Sequence, residues 1–267
     1  GWMVLVTNPA FTEMFGVGAR EVVGRLVQEA LVEWGALGIE VDCLTTMTTR
    51  APRAVTRVLL TSQSQLCYLD IQIRPLQDGV VISLTDATDL HEAHKRLRHL
   101  ATTDALTGLS NRREFDDQLR LEVQRARRSG EPLTLVMGDI DAFKAYNDHC
   151  GHAAGDDCLR QFALILKSTF ARQLDVVARY GGEEFAVLLP GTGEEGALTL
   201  TDRLLLRLQR EALPHPASPV AAVVTASFGV AVFQAEQDED EIHLLRRTDG
   251  ALYQAKQTGR NRVCLAR

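Results

Sequence analysis

The sequence is poor in the features that mark several protein classes. Its 267 residues carry a formal net charge of −6, so no basic excess indicates general nucleic-acid binding. Its apolar runs are short, so we expect neither a membrane span nor a signal peptide in this segment. Five cysteines, an odd number at irregular spacing, favour reduced thiols and a cytoplasmic location over a disulfide framework.

The length favours two modest domains rather than one. We expect a first domain at residues 1–88, a connecting helix at 89–103 and a second domain at 104–267. The connecting segment carries residues at the alternating three-and-four spacing of a coiled-coil seam. The seam residues are Leu90, Ala93 or His94, Leu97, Leu100 and Asp104. Two heptads are too few to establish a coiled coil on their own.

Residues 179–185 read RYGGEEF and lie between two apolar, strand-like runs. The pair Gly181 and Gly182 predicts a hairpin turn, and a turn without side chains lets a bulky group approach the backbone. Glu183 and Glu184 place negative charge directly beside that turn. An ordinary exposed hairpin would give the same seven residues, so this motif alone leaves both interpretations open.

A second acidic strand end lies at residues 132–141, which read PLTLVMGDID. Asp139 and Asp141 flank Ile140, so in an extended strand the two carboxylates share one face. Oxygen ligands of this kind suit Mg²⁺, which keeps few protein carboxylates and shares its coordination sphere with substrate phosphates. The next turn, residues 142–144, offers backbone N–H groups that could hold phosphate oxygens.

Six segments in one unbroken order resemble the GGDEF family of diguanylate cyclases, with Gly-Gly-Glu-Glu-Phe in place of the name-giving motif. They are DALTGLSNRR (104–113), DIDAFKAYND (139–148), GHAAGD (151–156), RYGGEEF (179–185), SFGVA (227–231) and DGALYQAKQTGRNRV (249–263). Six segments in register are far more specific than any one of them.

The resemblance implies an α+β class for residues 104–267, with a palm-like fold and a central, mainly antiparallel sheet with helices packed on it. The sequence pattern predicts helices at 111–129, 153–171, 194–213 and 240–257, strands at 132–140, 220–227 and 229–234, a hairpin at 175–190 and a final short strand.

The resemblance also implies a role for each matching residue. Mg²⁺, two ions per active site with Mn²⁺ as an alternative, would be bound by Asp139, the carbonyl of Ile140 and Glu183, and Glu183 would also help to deprotonate a hydroxyl. Asn147 and Asp156 would read guanine, because a carboxylate accepts from its N–H donors and an amide donates to its acceptors. The phosphates of the nucleotide would be bound by Phe143, Lys144, Lys256 and Arg260. Gly181 and Gly182, which have no side chains, would leave space for the nucleotide. Lys256 and Arg260 would share a helix face if the helix continues.

In the family, two domains meet face to face, each with one GTP, and form cyclic di-GMP with release of pyrophosphate. The resemblance therefore implies a homodimer with GTP as substrate and no nucleic-acid or membrane partner in this segment. A product-inhibition site of the RxxD pattern is implied at Arg172 and Asp175, with Arg179 nearby and Arg203 as a contact from the partner domain. Asp104, Asn111 and Arg112 are expected to brace the domain entrance.

Residues 1–88 resemble the PAS sensor family, an antiparallel sheet domain, through Asn8-Pro9-Ala10-Phe11 and Asp86-Ala87-Thr88. We expect a strand at 2–6, short helices, and strands at 56–63, 67–76 and 79–88. The family's first strand is missing before Trp2, and the chain lacks an initiator Met, so we expect a fragment whose parent could carry a membrane anchor upstream.

The ligand of this sensor domain is left open by the sequence. No histidine precedes His91, which argues against a His-ligated haem, and Cys43 and Cys67 lie outside any recognisable flavin–cysteine motif. A noncovalent small molecule and a purely dimerising role are both compatible with the residues. For the whole chain, the alternatives to a cyclase are a catalytically silent receptor for GTP or cyclic di-GMP, a dimerisation scaffold, and a cyclase with another nucleotide specificity.

Overall fold

The computed structural model describes residues 2–30, 38–60, 66–235 and 240–266. The chain divides into two compact units, Gly1–Leu97 and Arg98–Arg267. None of the helices within the described residues combines the length and the apolar composition that a bilayer crossing requires.

The N-terminal unit is built on a three-stranded antiparallel sheet with the order β1-β2-β3. Its elements are α1 (Pro9–Phe15), α2 (Ala19–Val22), α3 (Val27–Ala30), α4 (Ile39–Thr49), β1 (Arg53–Leu60), β2 (Leu66–Pro75) and β3 (Val80–Asp86). In the central strand Leu69, Ile71 and Ile73 are fully buried, because alternate side chains of a strand share one face. They pack with Ile39 and Cys43 of α4. The three predicted strands are confirmed within the described residues; β1 begins three residues before its predicted start, and residues 61–63 of that prediction lie outside the described residues.

Residues 2–6, predicted as a strand, pair only over residues 2–4: Met3 forms an isolated bridge with Leu26, and Trp2 and Val4 make backbone hydrogen bonds with residues 24–27. Leu5 and Val6 of this run are exposed. The strand prediction is wrong because an apolar run becomes a strand only where a neighbouring chain pairs with its backbone groups along its length.

Helix α4 was not predicted, since its sequence IEVDCLTTMTT is rich in β-branched residues that favour strands. The hydroxyls of Thr45, Thr48 and Thr49 donate to the carbonyls four residues earlier, at 2.7 to 2.9 Å. This back-bonding satisfies threonine inside a helix. The packing of α4 on the sheet therefore overrides the local preference for an extended chain.

The connecting helix is α5 (Thr88–Thr102), which lies within a residue of the predicted range at each end. Asp86 starts it by accepting a hydrogen bond from the Thr88 N–H at 2.9 Å. Along this helix Leu90, Leu97 and Leu100 are exposed, which fits a seam that a partner helix covers. The pairing of two such helices stays a prediction.

The C-terminal unit contains a five-stranded sheet with the order β5-β6-β4-β7-β8, antiparallel except for the β7–β8 pair. Its elements are α6 (Arg112–Ser129), β4 (Leu133–Ile140), α7 (Phe143–Cys150), α8 (His152–Thr169), β5 (Val176–Gly181), β6 (Glu184–Pro190), α9 (Glu194–Glu211), β7 (Ala226–Val232), α10 (Glu241–Gln257) and β8 (Val263–Leu265). The mainly antiparallel sheet expected from the family is confirmed.

Helices cover both faces of this sheet. One core joins Phe162 of α8 and Leu204 of α9 to Phe185 and Phe228 of the sheet. The second core lies on the opposite face, where α6 and α10 pack. Because helices lie on both faces, every residue of the central strand β4 is buried.

Glycine at position 229 lets α10 sit directly on β7. A Cβ there would lie 2.2 Å from the carbonyl oxygen of Thr248 and 2.3 Å from the backbone nitrogen of Leu252. Such distances are far below van der Waals contact, so no other residue fits without displacing the helix. This close backbone contact fixes where the C-terminal half of α10 packs on the sheet.

Two predictions in this unit are corrected. Strands were predicted at 220–227 and 229–234, but a single strand, β7, runs from Ala226 to Val232 through the predicted break, and the preceding segment makes an isolated bridge between Pro214 and Val223. Three prolines in residues 214–219 remove ladder donors and keep this stretch irregular. The helix predicted at 153–171 is preceded by a separate helix, α7, from which Gly151 with φ +85° divides it.

Candidate active site

The two acidic motifs meet at one end of β4. In the sheet register Asp139 lies between Glu184 of β6 and Ser227 of β7. One residue further, the Ile140 N–H donates to the carbonyl of Glu183 at 3.4 Å. The sequence could place these residues at strand ends, but only the sheet order brings the end of β4 beside the Gly-Gly turn.

Arginine 179 holds that turn in place. Gly182 has φ +50°, the left-handed backbone that suits glycine, and its carbonyl accepts from Arg179 Nε at 2.9 Å. Arg179 Nη1 lies 3.3 Å from Asp104 Oδ2 in a mostly buried ion pair. The observed contacts of Arg179 tie the turn to Asp104, and its nearness to bound product stays a prediction.

The entrance residues brace the unit as expected. Asp104 accepts from the N–H and the hydroxyl of Thr107, at 2.9 and 2.6 Å. Asn111 caps α6 by accepting from the Glu114 N–H at 3.0 Å. Arg112 places its guanidinium 4.4 Å from the centre of the Tyr180 ring, within cation–π range.

Asp139 is a buried carboxylate with an ammonium partner. Its residue is 8% exposed, and Lys256 Nζ on α10 lies 2.7 Å from its Oδ2. Burial raises the pKa of Asp139 to about 6; the hydrogen bond and charge of Lys256 oppose this rise, whereas the charges of Glu183 and Glu184 add to it. The negative charge of Asp139, Glu183 and Glu184 at this site therefore exceeds the single positive charge of Lys256.

The raised pKa of Asp139 predicts a pH-dependent affinity for a divalent cation. Only the ionised carboxylate ligates a metal, so lowering the pH through about 6 should weaken binding, by up to roughly tenfold per pH unit below that value. Calorimetric titration with Mg²⁺ and 3′-deoxy-GTP from pH 5 to pH 8 would measure this. A constant affinity between pH 5 and 7 would contradict it.

Asp141 does not share the role of Asp139. It is 2% exposed and accepts from the hydroxyls of Thr225 and Ser227, at 2.8 and 2.7 Å, and from the Asn261 N–H at 3.0 Å. These bonds fasten the segment after α10 to the sheet. The residue is therefore structural, a role that its position in the sequence did not reveal.

Replacing Asp141 by alanine should destabilise the C-terminal unit by about 3 kcal/mol, because it leaves buried donors without a partner. Urea unfolding followed by circular dichroism would measure the loss. Asp157→Ala is the matched control: this aspartate is exposed and pairs with Arg160 at 2.5 Å on the surface, so its loss should cost at most about 0.5 kcal/mol. Equal effects of the two variants would refute the assignment.

The turn after β4 presents the start of α7. Ala142 has φ +55°, a left-handed conformation that is costly for a residue with a Cβ. No side chain caps the helix that follows, so its first N–H groups, at Phe143 and Lys144, point out of the helix end. Lys144 is exposed beside them, whereas the Phe143 side chain is buried in the core.

Asn147 and Asp156 lie where α7 and α8 face each other. The Oδ1 of Asn147 is buried without a hydrogen-bond partner among the described residues. A Cβ on Gly155 would lie 1.8 Å from that oxygen, so glycine is required for Asn147 to lie there. Asp156 follows directly and is exposed. An unpaired amide oxygen and an open carboxylate are both acceptors, so they fit a ligand that offers N–H donors.

Lys256 and Arg260 do not lie on one helix face. Helix α10 ends at Gln257, and Arg260 has φ +61° beyond it, with its N–H donating to the Ala255 carbonyl at 3.0 Å. The helix does not continue, because Gly259 with φ +124° turns the chain first. Arg260 is exposed.

The RxxD segment forms a preorganised pair on another surface. Arg172 Nη2 lies 2.6 Å from both Asp175 Oδ1 and Thr192 Oγ1, and Arg172 Nε is 3.0 Å from Asp175 Oδ1. The Asp175 side chain is 1% exposed and that of Arg172 is half exposed. Both residues line a cavity of about 570 Å³. Arg203 lies exposed on α9 and does not line it.

Among the described residues, no three His, Cys, Asp or Glu side chains converge as a metal cluster. The acidic site therefore offers two carboxylates and backbone oxygens. This limited donor set is the kind that Mg²⁺ completes with phosphate and water. Sequence reasoning also missed His215, a buried residue between two prolines that contacts the turn at Ala142.

Comparison with known families decides what this site belongs to. Residues 101–262 match the model described as diguanylate cyclase, GGDEF domain. The chain belongs to the GGDEF family. Residues 3–92 match the PAS fold, so a PAS domain precedes the GGDEF domain in the chain.

Named relatives of the GGDEF domain are similar over most of this unit. The response regulator PleD of Caulobacter vibrioides is 43% identical over 164 residues, which cover 61% of this chain and 36% of PleD. The chain thus spans little more than a third of that protein.

Solved GGDEF structures give the same picture. The coiled coil and GGDEF domain of DgcB from Caulobacter crescentus, in complex with c-di-GMP, matches with a TM-score of 0.62 and 34% identity over 67% of this chain and 92% of that one. The active GGEEF domain of a diguanylate cyclase from Vibrio cholerae matches with a TM-score of 0.54 and 35% identity over 60% of this chain and 98% of that one.

Proposed function

We propose that the protein is a diguanylate cyclase that condenses two GTP molecules into cyclic di-GMP. The observation that carries the proposal is the meeting of Asp139 and the Gly-Gly-Glu-Glu turn at the end of β4. In each of two steps a 3′-hydroxyl oxygen forms a bond to the α-phosphorus of the other nucleotide. The bond from that phosphorus to the pyrophosphate leaving group breaks, and the hydroxyl proton passes to a base.

The carboxylates of Asp139 and Glu183 and the carbonyl of Ile140 would hold Mg²⁺, two ions per site, or Mn²⁺. The excess negative charge that helps to raise the pKa of Asp139 supports this fit. A bound divalent ion would polarise phosphoryl oxygens and favour the attacking alkoxide. Glu183, at the turn, would accept the hydroxyl proton.

The remaining residues would bind the nucleotide. Asn147 and Asp156 would read the guanine edge, whose N–H donors suit the exposed Asp156 carboxylate and the unpaired Asn147 oxygen as acceptors. Phe143 and Lys144 would hold phosphate oxygens through backbone N–H groups and an ammonium. Gly181 and Gly182 would leave room for the nucleotide, and Lys256 and Arg260 would approach the triphosphate from the end of α10.

Assembly and control belong to the same proposal. One GGDEF domain holds one GTP, so the reaction needs a homodimer in the cytoplasm, where GTP is present. We assign residues 1–88 to the sensor, 89–103 to the signalling helix and 104–267 to the cyclase. Product would inhibit the enzyme by binding Arg172 and Asp175 in the cavity that they line, with Arg179 and Arg203 as further contacts.

The proposal is tested by incubating the purified protein with GTP and Mg²⁺ and identifying the nucleotides by mass spectrometry. We expect cyclic di-GMP and pyrophosphate, and neither product when the metal is chelated. A folded dimer that binds GTP but forms no product, also when constitutively dimerised through a fused coiled coil, would favour a silent receptor. Product from ATP in place of GTP would overturn the guanine assignment.

A further inference from the structure

A proline-flanked loop lies against the phosphate-binding turn of the GGDEF domain. Its backbone is fixed by hydrogen bonds from Val224 N to Leu213 O, at 2.8 Å, and from His215 N to Ala222 O, at 2.9 Å. The His215 carbonyl accepts from the Ser218 N–H at 3.1 Å. Pro214 and Pro216 flank the histidine and restrict its backbone further. The loop therefore presents one side chain in a fixed place.

That side chain is buried and makes one polar contact. His215 is 1% exposed, and its Nε2 lies 3.2 Å from the carbonyl oxygen of Ala142. A carbonyl only accepts, so Nε2 carries the hydrogen and donates it. Nδ1 is buried and has no hydrogen-bond partner among the described residues. The Tyr146 ring meets the imidazole edge-on, with centroids 5.1 Å apart.

The contacted carbonyl belongs to a residue that needs support. Ala142 adopts φ +55° and ψ +31°, where its Cβ is crowded. Its carbonyl already accepts from the Tyr146 N–H at 3.1 Å, the first hydrogen bond of α7. A second donor stabilises the peptide in the orientation that turns the following N–H groups out of the helix end. The strained residue and the buried donor face each other from separate parts of the chain.

We propose that His215 is a positioning residue that holds the left-handed turn at Ala142, and so presents the N–H groups of Phe143 and Lys144 to the phosphates of GTP. The inference rests on the proposed cyclase function, since it takes this turn as the phosphate site. Because a phosphate contact of this kind is made in the ground state and in the transition state alike, its loss raises KM and leaves kcat nearly unchanged.

The test compares His215→Phe, His215→Gln and the wild type in cyclic di-GMP synthesis. Phenylalanine keeps the ring beside Tyr146 and removes the donor, so KM for GTP should rise about tenfold with kcat within about twofold. Glutamine retains an N–H donor of similar reach and should restore KM to within about threefold of the wild type. His149 is an exposed histidine of α7, the helix that follows the turn at Ala142. Its replacement by alanine should leave both KM and kcat unchanged.

A double variant adds a readout that a merely structural role would not move. Glycine adopts positive φ without the Cβ penalty, so adding Ala142→Gly to His215→Phe should lower the raised KM most of the way back to the wild-type value. An unchanged KM in His215→Phe, or no recovery on the Ala142→Gly background, would overturn the proposal. If His215→Phe does not fold, His215→Gln provides the test, because a tenfold rise of KM in that variant would also overturn the proposal. Absence of product from the wild type would instead refute the cyclase function itself.

Discussion

A Glu183→Ala variant should form cyclic di-GMP roughly 10²–10³-fold more slowly than the wild type. The residue begins the acidic half of the Gly-Gly-Glu-Glu turn, and its carbonyl accepts from Ile140 at 3.4 Å, which places it at the end of β4 beside Asp139. Alanine removes a proposed metal ligand and the proposed proton acceptor together, so stabilisation specific to the transition state is lost and kcat falls. Initial rates of product formation, followed by chromatography and mass spectrometry, measure the effect.

The backbone of the turn should survive this change, because Arg179 still holds the Gly182 carbonyl at 2.9 Å. Circular dichroism and melting temperature of the variant should therefore match the wild type. Glu195→Ala removes an exposed carboxylate from the first turn of α9 and should keep the full rate. A rate of cyclic di-GMP formation by Glu183→Ala within tenfold of the wild-type rate would show that Glu183 takes no direct part in the reaction.

An Arg172→Ala variant should keep its initial rate within about twofold and lose inhibition by cyclic di-GMP, with the inhibitory concentration rising at least about a hundredfold. The guanidinium is held by Asp175 and Thr192 at 2.6 Å each, yet the Arg172 side chain is half exposed and lines the cavity. Its planar fork can therefore pair with a phosphate or a guanine edge at little entropic cost. Rates measured against added cyclic di-GMP give the shift.

Arg160→Ala provides the matched control for Arg172. Arg160 also pairs with an aspartate three residues away, Asp157 at 2.5 Å, but it lies on the exposed face of α8. Its replacement should leave product inhibition as it is. If Arg172→Ala remains inhibited like the wild type, Arg172 and Asp175 form only a structural ion pair, and the product-inhibition site lies elsewhere.

The sequence predicted the elements that form from local patterns. Helix α9 and helix α10 end within about two residues of their predicted limits, and β4 was placed to within one residue. Apolar periodicity and strand-end carboxylates are readable without tertiary context. Residues 220–227 failed because prolines sit just before an apolar run, and α4 failed because packing outweighed its β-branched composition.

The candidate site was predictable as a set of residues and much less as a set of contacts. The resemblance singled out Asp139 and Lys256 separately, but their 2.7 Å ion pair depends on how α10 packs on β7. The different contacts of Asp139 and Asp141 have the same origin, since residues 84, 86 and 120 positions further along the chain supply the partners of Asp141. Contacts of this range follow from the fold and not from spacing.

Arg179 joins two places that the chain order keeps apart. One nitrogen of its guanidinium reaches Asp104, at the start of the GGDEF motifs, and another reaches the carbonyl of Gly182. A guanidinium is flat and rigid. A shift of the segment at Asp104 must therefore either move the Gly-Gly turn with it or break the mostly buried ion pair between Asp104 and Arg179. The segment at Asp104 and the turn therefore move together, and the position of Glu183 depends on Asp104, which lies two residues beyond the connecting helix α5.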